Sequence, residues 1–80
     1  MRVTVRLFAR LRDIAGAELS REVGPGATAA TVWRDLVRDF PDLAAYERSL
    51  STAINADYAR MGDAVHDGDE VAFLPPVSGG

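Results

Sequence analysis

The sequence has 80 residues, a net charge of −3 and no cysteine, which leaves room for one domain and excludes a disulfide framework, a thiolate metal site and a cysteine nucleophile or persulfide. Its composition, 48% hydrophobic and 26% charged, is that of a soluble globular fold, and the acidic excess argues against nucleic acid as a partner, because phosphate neutralisation needs clustered cations. All nine basic residues are arginine, so the side chains offer no amine and the protein cannot build isopeptide chains on itself. Met1-Arg2 opens directly into an alternating segment with no apolar leader, and no apolar run approaches the roughly 20 residues that span a bilayer. The expectation is a cytoplasmic protein with no membrane partner.

Val3-Thr4-Val5-Arg6-Leu7 alternates apolar and polar residues, which predicts a strand with Val3, Val5 and Leu7 on one face. The spacing then turns helical over Phe8–Ala15, with Leu11 and Ile14 on one side and Gly16 placed to stop the helix in the left-handed conformation. Ala17 to Val23 predicts a second strand, weakened where Arg21 interrupts the inward pair Leu19 and Val23. Gly24-Pro25-Gly26 is a turn. Thr28 is a candidate N-cap for the main helix, in which Val32, Trp33, Leu36, Val37 and Phe40 form an apolar stripe and Pro41 ends the run. Leu43 to Leu50 predicts an irregular or short helical connection.

Thr52–Asn55 and Ala59–Met61 are short strand candidates around an Asn-Ala-Asp turn. Asp67-Gly68-Asp69 is a strong turn signal, and Glu70–Leu74 is a compact apolar run expected of a central strand. Pro75-Pro76 removes two backbone donors and ends strand pairing. A hairpin, a crossing helix and a last strand beside the first give an α+β fold of the β-grasp, ubiquitin-like plan. The mixed sheet carries one main helix on one face, in a domain over 1–76 followed by an extended tail over 77–80.

The chemistry points to that tail. Diproline stiffens the exit from the sheet, and the four residues Val77, Ser78, Gly79 and Gly80 can project roughly 13 Å when extended. Glycines lack Cβ atoms and pass through a channel that would reject other residues. A carboxylate is a poor electrophile, but transfer to AMP would make it a mixed anhydride with a good leaving group. A sulfur donor could then displace AMP and leave a thiocarboxylate, which is how a protein without cysteine can carry sulfur. Read alone, the same four residues are equally a glycine-rich chain end.

Leu7-Phe8-Ala9-Arg10-Leu11-Arg12, the run Asp67–Leu74 and the closing Pro75-Pro76-Val77-Ser78-Gly79-Gly80 together resemble the small subunit of molybdopterin synthase, along the whole chain. The resemblance implies a β-grasp sulfur carrier whose Gly80 is adenylated with ATP by a ubiquitin-activating-type adenylyltransferase. Sulfur then comes from a cysteine desulfurase or rhodanese-type donor. It implies insertion of Pro76, Val77, Ser78, Gly79 and Gly80 into the active site of the large synthase subunit, within a heterotetramer. There the tail supplies sulfur to cyclic pyranopterin monophosphate, and general acid–base groups belong to the partner. The carrier itself is expected to bind no cofactor and to have no catalytic residues of its own. Phe8, Tyr58 and Leu74 fall where the family places apolar docking residues, with Arg12 a candidate for an acidic group on the activating enzyme. Phe8 and Leu74 equally fit the core, and Arg12 fits a solvated surface better than a paired one. Alternatives of the same fold are carriers for thiazole, cysteine or tRNA thiolation, and a ubiquitin-like modifier or interaction domain.

Other signals lead to simpler expectations. His66 is the single histidine and has no histidine or cysteine partner to complete a metal site. Asp63, Asp67, Asp69 and Glu70 lack the loop spacing of a calcium site. Gly24-Pro25-Gly26 lacks the lysine of a phosphate loop, Trp33 belongs to the core stripe, and the Arg2, Arg6, Arg10, Arg12 run lacks the interleaved aromatics of an RNA reader. A nucleophilic triad is not apparent.

Overall fold

A computed structural model describes residues 1–76; the expectations for Val77, Ser78, Gly79 and Gly80 lie outside the described residues. Five strands and two helices follow in the order β1 (Arg2–Leu7), α1 (Ala9–Ala15), β2 (Glu18–Glu22), α2 (Ala29–Asp39), β3 (Ser51–Ile54), β4 (Asp57–Ala59) and β5 (Glu70–Leu74). A 3-10 helical segment over Pro41–Ser49 links α2 to β3. The sheet order is β2-β1-β5-β3-β4. Strand β5 lies parallel to β1 and antiparallel to β3, so the last strand sits in the middle, as its apolar run predicts. This is the β-grasp, ubiquitin-like architecture.

Alternation along β1 buries Val3, Val5 and Leu7 completely or nearly so. Val71 and Phe73 of β5 share that inner face, and Val32, Trp33 and Leu36 of α2 close over it. Trp33 and Phe73 pack with ring centroids 5.1 Å apart at a 59° tilt, one of the arrangements that aromatic quadrupoles favour. Full burial of each such side chain contributes about 1.5–3 kcal/mol, so these few positions dominate the stability of a domain this small.

Helix α2 begins where Thr28 predicts. Its hydroxyl accepts from the Thr31 N–H at 3.3 Å while the Thr31 hydroxyl accepts from the Thr28 N–H at 3.1 Å, a reciprocal capping box. The helix stops at Asp39, with Phe40 as its C-cap and Pro41 beyond it. Arg21, which weakens β2 in the sequence, is used rather than tolerated. It reaches from the inner side of β2 to Asp35 (3.7 Å) and Asp39 of α2, and Arg38 also engages Asp35. The interruption is therefore an ion-paired tie between sheet and helix.

Three expectations are corrected locally. Phe8 is not within α1 but is its extended N-cap; Leu11 and Ala15 are buried, and Ile14 packs half-buried against the same core. Gly16 does have the positive φ of 99°, but its ψ of 161° takes it out of the left-handed helical region. The hairpin turn is Asn55-Ala56 alone, with φ of 51° and 71°, so β4 comprises Asp57–Ala59 and not Ala59–Met61. Two consecutive positive φ values are what a two-residue hairpin turn requires.

Candidate docking face and tail root

Strand register defines the outer face of the sheet. Leu7, Phe73 and Thr52 stand opposite one another and are all buried, so the residues one step along must point outward. The next row is Arg6, Ala72, Ala53 and Tyr58 across β1, β5, β3 and β4. Leu74 and Ser51 follow the buried row on its other side, with Phe8 next to them at the end of β1. Among the described residues, the two most exposed large apolar side chains are on this face: Tyr58 at 92% and Phe8 at 39%. Between Tyr58 and Phe8 lie the small side chains of Ala53 and Ala72. A partner surface can therefore come close to the sheet there, flanked by an aromatic ring on either side.

Neither Phe8 nor Leu74 is a core residue. Phe8 is exposed and Leu74 half-buried, and together they line a groove with Ala9, Arg10, Tyr46, Pro75 and Pro76. The last described residue, Pro76, is exposed at the rim of this groove. Local backbone geometry opens it. Phe8 remains extended (φ −128°, ψ 156°), and Ala9 then takes a positive φ of 53°, a turn that an L-residue adopts at some cost. The chain bends sharply into α1 and leaves the Phe8 ring outside the core. The Arg6 guanidinium carbon sits 6.0 Å from the centroid of that ring, at cation–π range, and Arg6 also faces Glu70 at 3.9 Å.

Arg10 donates from Nε to the Tyr46 hydroxyl at 3.5 Å and lies 3.8 Å from Asp13. The Tyr46 contact, followed by Asp13, holds the Arg10 guanidinium above its already high ordinary value, so the groove has a permanent cation at its rim. Arg12 is exposed on α1 but does not line the groove. Pro76 is exposed at the groove. Tyr58 lies three strand spacings from β1, about 14 Å across the sheet, on the same face as Phe8 and Leu74 but outside the groove. Of the groove residues, Tyr46 has no signal in the sequence, while Ala9 and Arg10 stand there only within the Leu7–Arg12 motif and, for Arg10, the basic run. Arg10 and Tyr46 are 36 positions apart, and only the fold of the 3-10 segment against α1 brings them together.

Among the described residues no cluster of three or more His, Cys, Asp or Glu side chains could hold a metal ion. His66 is largely exposed, 3.7 Å from Asp69. No helix among the described residues is long and apolar enough to cross a membrane.

A ubiquitin-like fold with an outward aromatic face and a groove at the exit of the chain is the architecture of a small carrier or modifier. Residues 5–80 match the ThiS family, and the chain belongs to that family; it is a sulfur carrier of the ThiS type. It is 37% identical to the molybdopterin synthase sulfur carrier subunit of Chlamydomonas reinhardtii over the full length of both chains. Among solved structures, it is similar to SAMP1 from Haloferax volcanii, with a TM-score of 0.86 and 30% identity over all of both chains. The BexX/CysO complex of Amycolatopsis orientalis contains another similar chain, with a TM-score of 0.74 and 28% identity over 98% of this chain and 99% of that one.

Proposed function

We propose that this chain carries sulfur as a thiocarboxylate on Gly80 and delivers it to the large subunit of a molybdopterin synthase. The observation that carries this is the end-to-end similarity to a sulfur carrier subunit of that enzyme, in a chain without cysteine. An adenylyltransferase of the ubiquitin-activating type transfers AMP from ATP to the Gly80 carboxylate. A persulfide sulfur from a cysteine desulfurase or rhodanese displaces AMP, and a second thiol then attacks the donor-cysteine sulfur of the resulting acyl disulfide, forming a disulfide with that cysteine and freeing the thiocarboxylate. The face bearing Phe8, Leu74 and Tyr58 docks on the partner, while Pro76, Val77, Ser78, Gly79 and Gly80 enter its active site, where sulfur passes to cyclic pyranopterin monophosphate. Two carriers and a dimer of large subunits make the heterotetramer. The carrier binds no cofactor, and ATP is used by the activating enzyme in the cytoplasm.

Groove geometry supports this arrangement. Pro75 and Pro76 lie in the wall formed by Phe8 and Leu74, so docking of that wall sets the direction in which the tail leaves. A partner contact there and delivery of the tail become one event. The likeness to a chain held in the BexX/CysO complex and to SAMP1 favours a second reading, in which the same terminus serves another sulfur pathway or is conjugated to proteins.

Deletion of Gly80 tests the assignment. With purified activating enzyme, sulfur donor and large subunit, the truncated chain is expected to bind the large subunit within about threefold of the full chain, because the docking face is untouched, yet to support no molybdopterin formation. Undiminished product would overturn the role of Gly80. Binding to a different acceptor subunit instead would favour the second reading.

A further inference from the structure

Thr52 is the one buried polar side chain among the described residues, 5% exposed. It stands on the inner face of β3, opposite Phe73 of β5, where its branched shape suits the strand but its hydroxyl is removed from water. A buried hydroxyl needs an acceptor. Its hydrogen-bond partner among the described residues is the Met61 thioether, with Oγ1 donating to Sδ at 3.5 Å, and a thioether is a weak acceptor. Valine would fill the same space with no polar group left to satisfy.

Met61 combines a fixed backbone with an accessible side chain. Its carbonyl accepts from the Ala30 N–H at 2.8 Å, in the first turn of α2. The side chain is half-buried, packs against the core and lines a surface cavity of about 260 Å³ with Trp33, Arg34 and Glu47. Arg34 and Glu47 are exposed, so small solutes reach Met61 from that side. The chain has no cysteine and two methionines, so Met1 and Met61 hold all of its side-chain sulfur.

We propose that Met61 is a reversible oxidation site that takes a peroxide as its oxidant, and that Thr52 is the donor that holds its sulfoxide. A lone pair of the Met61 sulfur attacks one peroxide oxygen. An S–O bond forms, the O–O bond breaks, and the departing hydroxide takes a proton and leaves as water. Sulfur gives up two electrons and the peroxide is reduced. A sulfoxide ordinarily disrupts the packing of an apolar site, and a methionine sulfoxide reductase returns it to the thioether. Here the new oxygen, a strong acceptor, forms beside a buried hydroxyl that already donates to the sulfur. The three rotatable bonds of the methionine side chain allow the oxygen to turn toward it. The site is independent of the chemistry proposed for Gly80.

Hydrogen peroxide is the probe, applied to the wild type, Thr52→Val and Thr52→Ser, each first shown by circular dichroism to be folded. Peptide mapping by mass spectrometry, which separates Met61 from Met1, is expected to find one added oxygen on Met61. Its rate in the folded wild type should lie within about tenfold of that in the urea-unfolded chain. Thermal melts before and after oxidation then read the role of Thr52. Oxidation is expected to lower the midpoint of Thr52→Val by about 4–8 °C more than that of the wild type or Thr52→Ser, because valine alone leaves the sulfoxide without its donor. A Met61 that stays reduced in the folded chain while oxidising in urea would overturn the site. An equal drop in all three proteins would overturn the role of Thr52.

Discussion

Asp69 ties the β3–β4 turn to the turn before β5: its carboxylate accepts from the Asn55 side-chain amide at 2.9 Å and from the His66 N–H at 2.8 Å, while the Asn55 side-chain oxygen accepts from the Glu70 N–H at 2.9 Å. The Asn55 hydrogen bond, then that of His66, holds the Asp69 carboxyl below its ordinary value. A carboxyl whose pKa is lowered by folding contributes stability above its unfolded value, near 3.9, and loses it as pH falls through the folded value. Asp69→Ala is therefore expected to lower stability by about 1 kcal/mol at pH 7. The gap between variant and wild type should close progressively below about pH 4. Urea denaturation at both pH values measures it, and an undiminished gap in acid would place the effect in packing rather than charge. Asn55 was legible only as a turn residue. Its bonds to Asp69 and Glu70 span 14 and 15 positions, and no local pattern announces a partner so distant.

The elements divide by how their signal is encoded. β1 and α2 were legible because a period of two in Val3, Val5 and Leu7 and a spacing of three and four in Val32, Trp33, Leu36 and Val37 are produced by burial on one side. β4 was misplaced by two residues because it is an edge strand of three residues in which burial imposes little pattern. Its position follows instead from Asn55 and Ala56 at positive φ. Alanine is an uncommon choice there, and Asn-Gly is the favoured pair for such a turn. Ala56→Gly is expected to stabilise the protein by about 0.5–1 kcal/mol, raising the thermal midpoint by several degrees in a domain of this size. A lower midpoint in differential scanning calorimetry would contradict the assigned turn. The Pro41–Ser49 segment was read as a connection starting at Leu43. Its one buried residue, Leu43, gives too little periodicity to mark a 3-10 helix, yet the segment supplies Tyr46 to the groove.

At the scale of the whole molecule, the buried core and the proposed docking surface occupy opposite faces of one sheet. The inner face holds Val3, Val5, Val71 and Phe73 against α2, while the outer face holds Tyr58, Ala53, Ala72 and Leu74. Tyr58→Ala should change folding stability by no more than about 0.5 kcal/mol, since its ring is solvated. It should weaken binding to the large subunit or the activating enzyme by about tenfold or more, as exposed aromatic anchors do. Calorimetric titration beside a denaturation curve separates the two, and a Tyr58→Ala chain that binds both partners at full strength would remove Tyr58 from the docking face. The sequence pointed to Phe8, Tyr58 and Leu74 but left open whether Phe8 and Leu74 were core. Their exposure depends on the bend at Ala9 and the position of the last strand, which belong to the fold as a whole.

Loading of sulfur on Gly80 is measured by intact-protein mass spectrometry after incubation with ATP, an activating enzyme and a sulfur donor. Replacement of one oxygen by sulfur, localised to Gly80 by fragmentation and dependent on ATP, is the expected result if Gly80 carries the sulfur. An unchanged mass, with a known carrier loaded in parallel, would contradict it.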